Sequence, residues 1–193
     1  MAKISIVIPT VLGNEKLLMR ALSSLVKFKD PKHEYEFVIV ANDWEGFSIP
    51  VNRGLKMATG EFVLIMNDDV EVQGSGWEDN FLKAFENLSV GIVGHHRTEQ
   101  HDKRYSAMWF TMIKKTLFEE LGYLDENMNL YSQDIDFGYR AMKAGYETSF
   151  AEAPIRHYTS STTGRLAKED NEEYLASAKK MFFQKYGVDH DSI

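Results

Sequence analysis

Glu61-Phe62-Val63-Leu64-Ile65-Met66-Asn67-Asp68-Asp69-Val70 is the stretch on which the reading of the whole chain turns. Phe62–Met66 is a short apolar run of aromatic and branched side chains, the mark of a parallel strand buried on both faces. The run stops abruptly at Asn67, Asp68 and Asp69. In open α/β sheets the carboxyl ends of the strands form the edge where ligands bind. The strand therefore delivers three polar side chains to that edge. Two adjacent carboxylates there repel by roughly 3 kcal/mol, at a separation of ~5 Å and an effective dielectric of ~20. A divalent cation converts that repulsion into attraction, and hard oxygen ligands suit magnesium or manganese. A plain polar turn after a strand is the competing reading.

Upstream, Ile4–Ile8 is a β-branched run closed by Pro9-Thr10, which predicts a first strand. Glu15–Phe28 places Leu17, Leu18, Ala21, Leu22, Leu25 and Val26 on one helical face, and Pro31 forbids its continuation. Phe37–Val40 predicts a second strand leading into Ala41, Asn42 and Asp43. Strand, helix and strand at this spacing imply a parallel, right-handed crossover. Val51–Ala58 predicts a short helix ended by Thr59-Gly60, and the strand at Phe62 follows at once. This alternation favours an α/β sheet.

Downstream, Trp77, Phe81, Leu82, Phe85 and Leu88 mark one side of a helix, and Val90–Gly94 reads as a strand. His95–Arg104 carries His95, His96 and His101; its polarity reads as an exposed loop rather than a histidine metal site. Tyr105–Ile113 is strand-like, and Lys114–Leu121 a helix stopped by Gly122. Ser132 is placed to cap a further helix, with Ile135, Tyr139 and Met142 on one face and Gly145 as its stop. Gln133, Asp134 and Asp136 then occupy the first turn. The helix dipole favours ionised carboxylates there, which keeps Asp134 deprotonated as a general base must be. Acidic first-turn residues that serve stability alone are the competing reading. Thr148–Ala151 is a short strand, Tyr158–Arg165 a Ser/Thr/Gly-rich loop, and Lys168–Tyr186 a final helix with Tyr174, Leu175, Ala178, Met181 and Phe182 inward.

The whole chain sets bounds on these readings. Its 193 residues suit one domain, 1–193, with the helix 168–186 packed on it and no visible linker. A net charge of −7 disfavours a dedicated nucleic-acid or acidic-membrane binder. With no cysteine there are no disulfides. The first ten residues lack the length and cleavage signal of a secretory peptide, and no stretch approaches the ~20 apolar residues of a membrane span. The expectation is a cytoplasmic protein without a transmembrane segment.

Several motifs fall in register. Ile6-Val7-Ile8-Pro9-Thr10 resembles the opening strand of the family 2 glycosyltransferases, and Asn52-Arg53-Gly54 with Ala58-Thr59-Gly60 resembles their Asn-x-Gly, Ala-x-Gly segment. Asn67-Asp68-Asp69 sits where the family carries Asp-x-Asp. Gly122-Tyr123-Leu124-Asp125-Glu126 resembles Gly-x-Phe-Asp-Glu. Gln133-Asp134-x-Asp136, with Arg140 and Gly145-Tyr146, resembles Glu-Asp-x-Asp, Arg, Gly-Tyr. His157 stands where many members place a late histidine. Two departures stand out: Asn67 replaces the first aspartate of Asp-x-Asp, keeping an oxygen but no charge, and Gln133 replaces the glutamate before the base.

This resemblance implies a GT-A fold, an α/β Rossmann-like, mostly parallel sheet flanked by helices. It implies transfer of a sugar, with inversion, from a UDP-, GDP- or dTDP-sugar to an acceptor hydroxyl, with Mn²⁺ or Mg²⁺ as cofactor. Asp134 is then the general base, and Asn67, Asp69 and His157 are the metal ligands. Pro9, Thr10, Asp43, Asn52, Arg53 and Asp68 hold the nucleotide sugar, and the Ser/Thr/Gly loop after His157 closes over it. The acceptor class stays open among glycan, lipid-linked, protein and nucleic-acid hydroxyls. Asn67 and Gln133 sustain an alternative, a catalytically inactive nucleotide- or sugar-binding protein. A nucleotidyltransferase wants a basic glycine-rich loop after the first strand, and Thr10-Val11-Leu12-Gly13-Asn14 has no basic residue. Fold alone licenses none of these readings, so the site motifs carry them.

Overall fold

The computed structural model describes residues 1–95, 105–128, 130–158 and 168–193. Its elements run β1 (Lys3–Val11), α1 (Glu15–Phe28), β2 (Glu34–Asn42), α2 (Ser48–Met57), β3 (Phe62–Met66), β4 (Val70–Val72), α3 (Trp77–Ala84), β5 (Val90–His95) and β6 (Phe110–Lys114). They continue with α4 (Lys115–Leu121), α5 (Gln133–Lys143), β7 (Glu147–Ala151), β8 (Ile155–His157), α6 (Lys168–Tyr186) and a 3-10 turn, His190–Ser192. Six strands form one sheet in the order β2-β1-β3-β6-β5-β7. β6 alone is reversed, antiparallel to both of its neighbours, and the remaining pairings are parallel. A second, two-stranded sheet pairs β4 with β8.

Alternation along the strands divides the apolar side chains between two faces. Ile4, Ile6, Ile8, Leu64 and Met66 pack with Trp77, Phe81 and Phe110 against α1 and α3. Val7, Val63, Ile65 and Ile113 pack with Val51, Leu55, Leu117 and Phe137 against α2, α4 and α5. Trp77, Phe81 and Phe110 meet edge to face, with centroids 5.3 to 6.1 Å apart, and burying each such ring contributes about 2–3 kcal/mol. A third, smaller cluster seats α6 on α5 through Phe182, Ile135 and Met128. Among the described residues no helix is long and apolar enough to cross a membrane.

The structure differs from several sequence expectations. Val26 is 58% exposed, and Ser24 takes the inward place. Leu88 lies beyond α3 and is 85% exposed. The strand expected over Tyr105–Ile113 begins only at Phe110. His95 is not in a loop: it ends β5, and its Nδ1 accepts a hydrogen bond from Ala153 N–H at 3.3 Å. His96 and His101 lie outside the described residues, as does most of the Ser/Thr/Gly loop after Tyr158. Tyr174 and Leu175 are exposed rather than inward.

Candidate active site

A cavity of about 940 Å³ opens at the carboxyl edge of the sheet. Pro9 and Thr10, near the end of β1, and Asn67, Asp68 and Asp69, which follow β3, line it. Gln133 and Asp134 enter from the start of α5, and His157 enters from β8. Seven of the ten residues expected from the sequence thus line one space: Pro9, Thr10, Asn67, Asp68, Asp69, Asp134 and His157. The other three do not.

Asp43 is exposed, and its neighbours Asn42 and Trp44 line the cavity instead. Asn42 Nδ2 donates to Thr10 O at 2.9 Å, and its Oδ1 accepts from Glu45 N–H at 3.1 Å, so this asparagine stitches β2 to β1. Asn52 is buried in α2 and clamps the 124–126 segment. Its Nδ2 donates to Leu124 O at 2.9 Å and to Glu126 Oε1 at 3.0 Å, and its Oδ1 accepts from Leu124 N–H at 3.0 Å. Arg53 is exposed and forks onto the carboxylate of Glu45.

The adjacent carboxylates of Asp68 and Asp69 turn to different partners. Asp68 Oδ2 accepts from Thr10 Oγ1 at 2.6 Å and from Asn14 Nδ2 at 2.9 Å, which ties the end of β3 to the loop after β1. Asp69 Oδ1 lies 3.1 Å from His157 Nε2 without hydrogen-bond alignment. The approach follows from chain pairing: Val70 and His157 are register partners, and Tyr158 N–H donates to Asp69 O at 2.9 Å. Trp109 stacks on the His157 ring with centroids 4.4 Å apart and planes 13° from parallel. Asn67 N–H donates to Trp109 O at 3.0 Å, which fixes the indole to the same edge.

Three oxygens at this cavity are buried with no hydrogen-bond partner among the described residues: Asn67 Oδ1, Asp69 Oδ1 and Gln133 Oε1. Buried polar groups left this way are costly and call for a partner. Asp69 Oδ1 beside the His157 imidazole, with Asn67 two residues before Asp69, supplies donor types that fit Mn²⁺ or Mg²⁺. A separate grouping, Asp30, His33 and Asp79, has ligand-like spacing away from the cavity. There Lys32 Nζ already bridges both carboxylates. Ala2 N–H donates to His33 Nδ1 at 3.2 Å, which places the neutral ring's proton on Nε2, so His33 offers that grouping a donor rather than a lone pair.

Burial dominates the electrostatics of Asp134. Burial pushes its carboxyl up to about 6, outweighing the Ile135 N–H that donates to Oδ1 at 2.9 Å and the other favourable backbone contact. The dipole of α5 does not hold this group in the ordinary carboxylate range. Asp136, in the same turn, is fully buried and does not line the cavity.

Sequence reasoning missed the part of the wall that α6 supplies. α6 contributes Tyr174, Ser177, Ala178 and Met181, one stripe at helical spacing, to the cavity. Such a stripe reads as core in a sequence. Trp109 was equally hidden, because a tryptophan in a strand-like run reads as packing.

A model of the family described as Glycosyl transferase family 2 matches residues 34–152. Among curated proteins none matches the chain. Among solved structures, a mannosyltransferase from Pyrobaculum calidifontis, PcManGT, in complex with GDP-Man and Mn²⁺, aligns with a TM-score of 0.66 at 16% identity, over 79% of this chain and 55% of its own. GalNAc-T7 with UDP, GalNAc and Mn²⁺ aligns at 0.65 and 13%, over 81% and 44%. TarS of S. aureus aligns at 0.63 and 19%, over 94% and 43%. The chain spans about half the length of these proteins, and likeness at these identities shows the shared fold.

Proposed function

The chain belongs to glycosyl transferase family 2, and from that premise we propose that it transfers a sugar from a nucleoside-diphosphate donor to an acceptor hydroxyl, with inversion and with Asp134 as general base. One observation carries the reading: Asn67, Asp69 and Asp134 line one cavity, and the Asn67 and Asp69 Oδ1 atoms there make no hydrogen bond among the described residues. Its volume, about 940 Å³, lies near the upper end of ordinary ligand sites and suits a nucleotide sugar with part of an acceptor.

Asn67, Asp69 and His157 would hold the divalent cation. When bound, it supplies electrostatic stabilisation for charge developing on the leaving diphosphate. Asp68 serves indirectly, by locking the end of β3 to Thr10 and Asn14. Asp134 takes the acceptor proton on its carboxylate. A group that titrates near 6 is both ionised at neutral pH and basic enough for that task. Two of the structural neighbours are described with Mn²⁺ and a nucleotide, which supports the same cofactor class here.

The test is a hydrolysis screen over UDP-, GDP- and dTDP-sugars, with manganese and with chelator. Release of nucleoside diphosphate from one donor in manganese alone is expected. Binding without turnover of any donor, even when acceptors are supplied, overturns the reading in favour of an inactive binding protein.

A further inference from the structure

Ser132 precedes α5 at φ +68°, a left-handed conformation unusual for a residue with a side chain. A serine at this position ordinarily turns its hydroxyl back onto the first-turn amides; this one makes no such bond. Its Oγ lies 2.9 Å from His190 Nε2, in the 3-10 turn that follows α6. His190 Nδ1 lies 2.9 Å from Asp191 Oδ1, and Asp191 Oδ2 accepts from Lys179 Nζ at 2.7 Å. The His190 ring is buried and meets Phe182 edge-on at 5.7 Å. Carboxylate, imidazole and hydroxyl thus form a chain that ends two residues before Asp134.

We propose that His190 is a positioning residue for Asp134: by holding Ser132 in its left-handed conformation, the carboxyl-terminal turn aims the Asp134 carboxylate into the cavity. The proposal rests on the reading of Asp134 as the general base. A nucleophilic role for Ser132 does not fit, because it is 4% exposed and absent from the cavity wall that Tyr131, Gln133 and Asp134 line. Asp191 accepts the proton of Nδ1, which leaves the Nε2 lone pair to the serine hydroxyl. If the ring gains a second proton, Nε2–H donates to Oγ instead, and the hydroxyl rotates to suit. The link therefore persists in both charge states. The charged and titratable groups around it are Asp191 on the same turn, Lys179 on α6, Asp134 on α5 and Tyr105. Burial, and then the charges of Asp134 and Asp191, push the Tyr105 hydroxyl up.

Two mechanisms for His190 predict opposite signs. If the ring positions Asp134, its loss lets the carboxyl relax toward solvent, and the Asp134 titration falls from about 6 toward the ordinary 3.8. If it acts only through its charge, its loss raises the titration. The experiment is a carboxyl ¹³C NMR titration of Asp134 in the intact chain, which needs no substrate, for wild type, His190→Phe, Ser132→Ala and the double variant His190→Phe with Ser132→Gly. The expected result is a fall in His190→Phe and in Ser132→Ala, and recovery in the double variant, because glycine adopts the left-handed conformation unaided. If His190→Phe fails to fold, Ser132→Ala decides alone. An unchanged or raised titration, or no recovery with glycine, overturns the proposal. Donor hydrolysis, with the UDP- or GDP-sugar that the wild type turns over, adds a second readout. A kcat loss of roughly ten- to a hundred-fold, with KM held, is expected from displacement of a reacting group. If the titration falls while Asp134→Asn is fully active, the positioning stands and the general-base reading fails.

Discussion

Lys185, in the last turn of α6, donates a 2.8 Å hydrogen bond to Asp136, in the first turn of α5. The same carboxylate accepts from Tyr186 OH at 2.7 Å and from Arg140 Nε at 2.9 Å. Arg140 spends its remaining N–H groups on the carbonyls of Leu121, Gly122 and Tyr123. Asp136 therefore fastens the helix that carries Asp134 to α6, which lines the same cavity. Two acidic residues of one motif divide the labour: Asp134 faces the cavity, and Asp136 holds the frame.

Asp136→Ala is expected to lower stability by about 3 kcal/mol, because it leaves two cations short of a buried partner. Asp136→Asn, which keeps the shape, should lose less. Urea unfolding checks both, and wild-type midpoints would refute the role.

Asp134→Asn is expected to reduce turnover by roughly 10²–10⁴-fold, the usual worth of a general base, with donor affinity nearly unchanged. Steady-state kinetics with calorimetry of donor binding separates the two. Wild-type turnover would mean that another group accepts the proton.

The pH profile follows from the same carboxyl. Burial raises its titration to about 6, and the base works only when deprotonated. Activity should rise with pH through about 6 and hold above it, with a loss of roughly ten-fold for each unit below. A profile flat down to about pH 4, the ordinary carboxylate range, would show that the burial is relieved when substrate binds.

Nucleoside diphosphate binding is expected to depend on Mn²⁺ or Mg²⁺, and Asp69→Ala to weaken it on the order of ten-fold or more, since Asp69 contributes charge as well as an oxygen. Calorimetry in manganese and in chelator measures this. Equal affinity in the two conditions would dismiss the metal.

Gly60→Ala tests a different claim. A Cβ there would stand 2.6 Å from the backbone nitrogen of Ser5 and 2.9 Å from Lys3 O. Stability should fall by about 1–3 kcal/mol while nucleotide affinity holds, because this glycine serves the contact with β1. A loss of affinity with stability intact would instead place Gly60 at the donor site.

These expectations show what sequence alone conveys. Phe62–Met66 was legible to the residue, because a five-residue apolar run between polar neighbours has few other uses. Asp69 and His157 could be placed at one edge by strand direction. Their 3.1 Å approach depends on β4 and β8, strands of three residues, too short to leave a period in the sequence. Asn52 and Asp43 show the opposite limit. A motif marks positions that matter without saying how, and the structure gives Asn52 to Leu124 and Glu126 and turns Asp43 to solvent. The titration of Asp134 was illegible because it depends on burial contributed by distant parts of the chain.

The reversed direction of β6 has a practical side. Phe110, its first residue, pairs with Met66, the last of β3. Chain entering β6 therefore arrives at the same rim as Asn67 and Trp109, whereas every other strand of the large sheet begins at the far end. For a protein engineer the useful position is Ala107, which lines the cavity just ahead of Met108, whereas Ser106 before it is buried over Gly94 of β5 and hydrogen-bonded to Thr111 of β6 and has to stay. Variation at that one position would alter the cavity lining while the five co-directional strands stay constant.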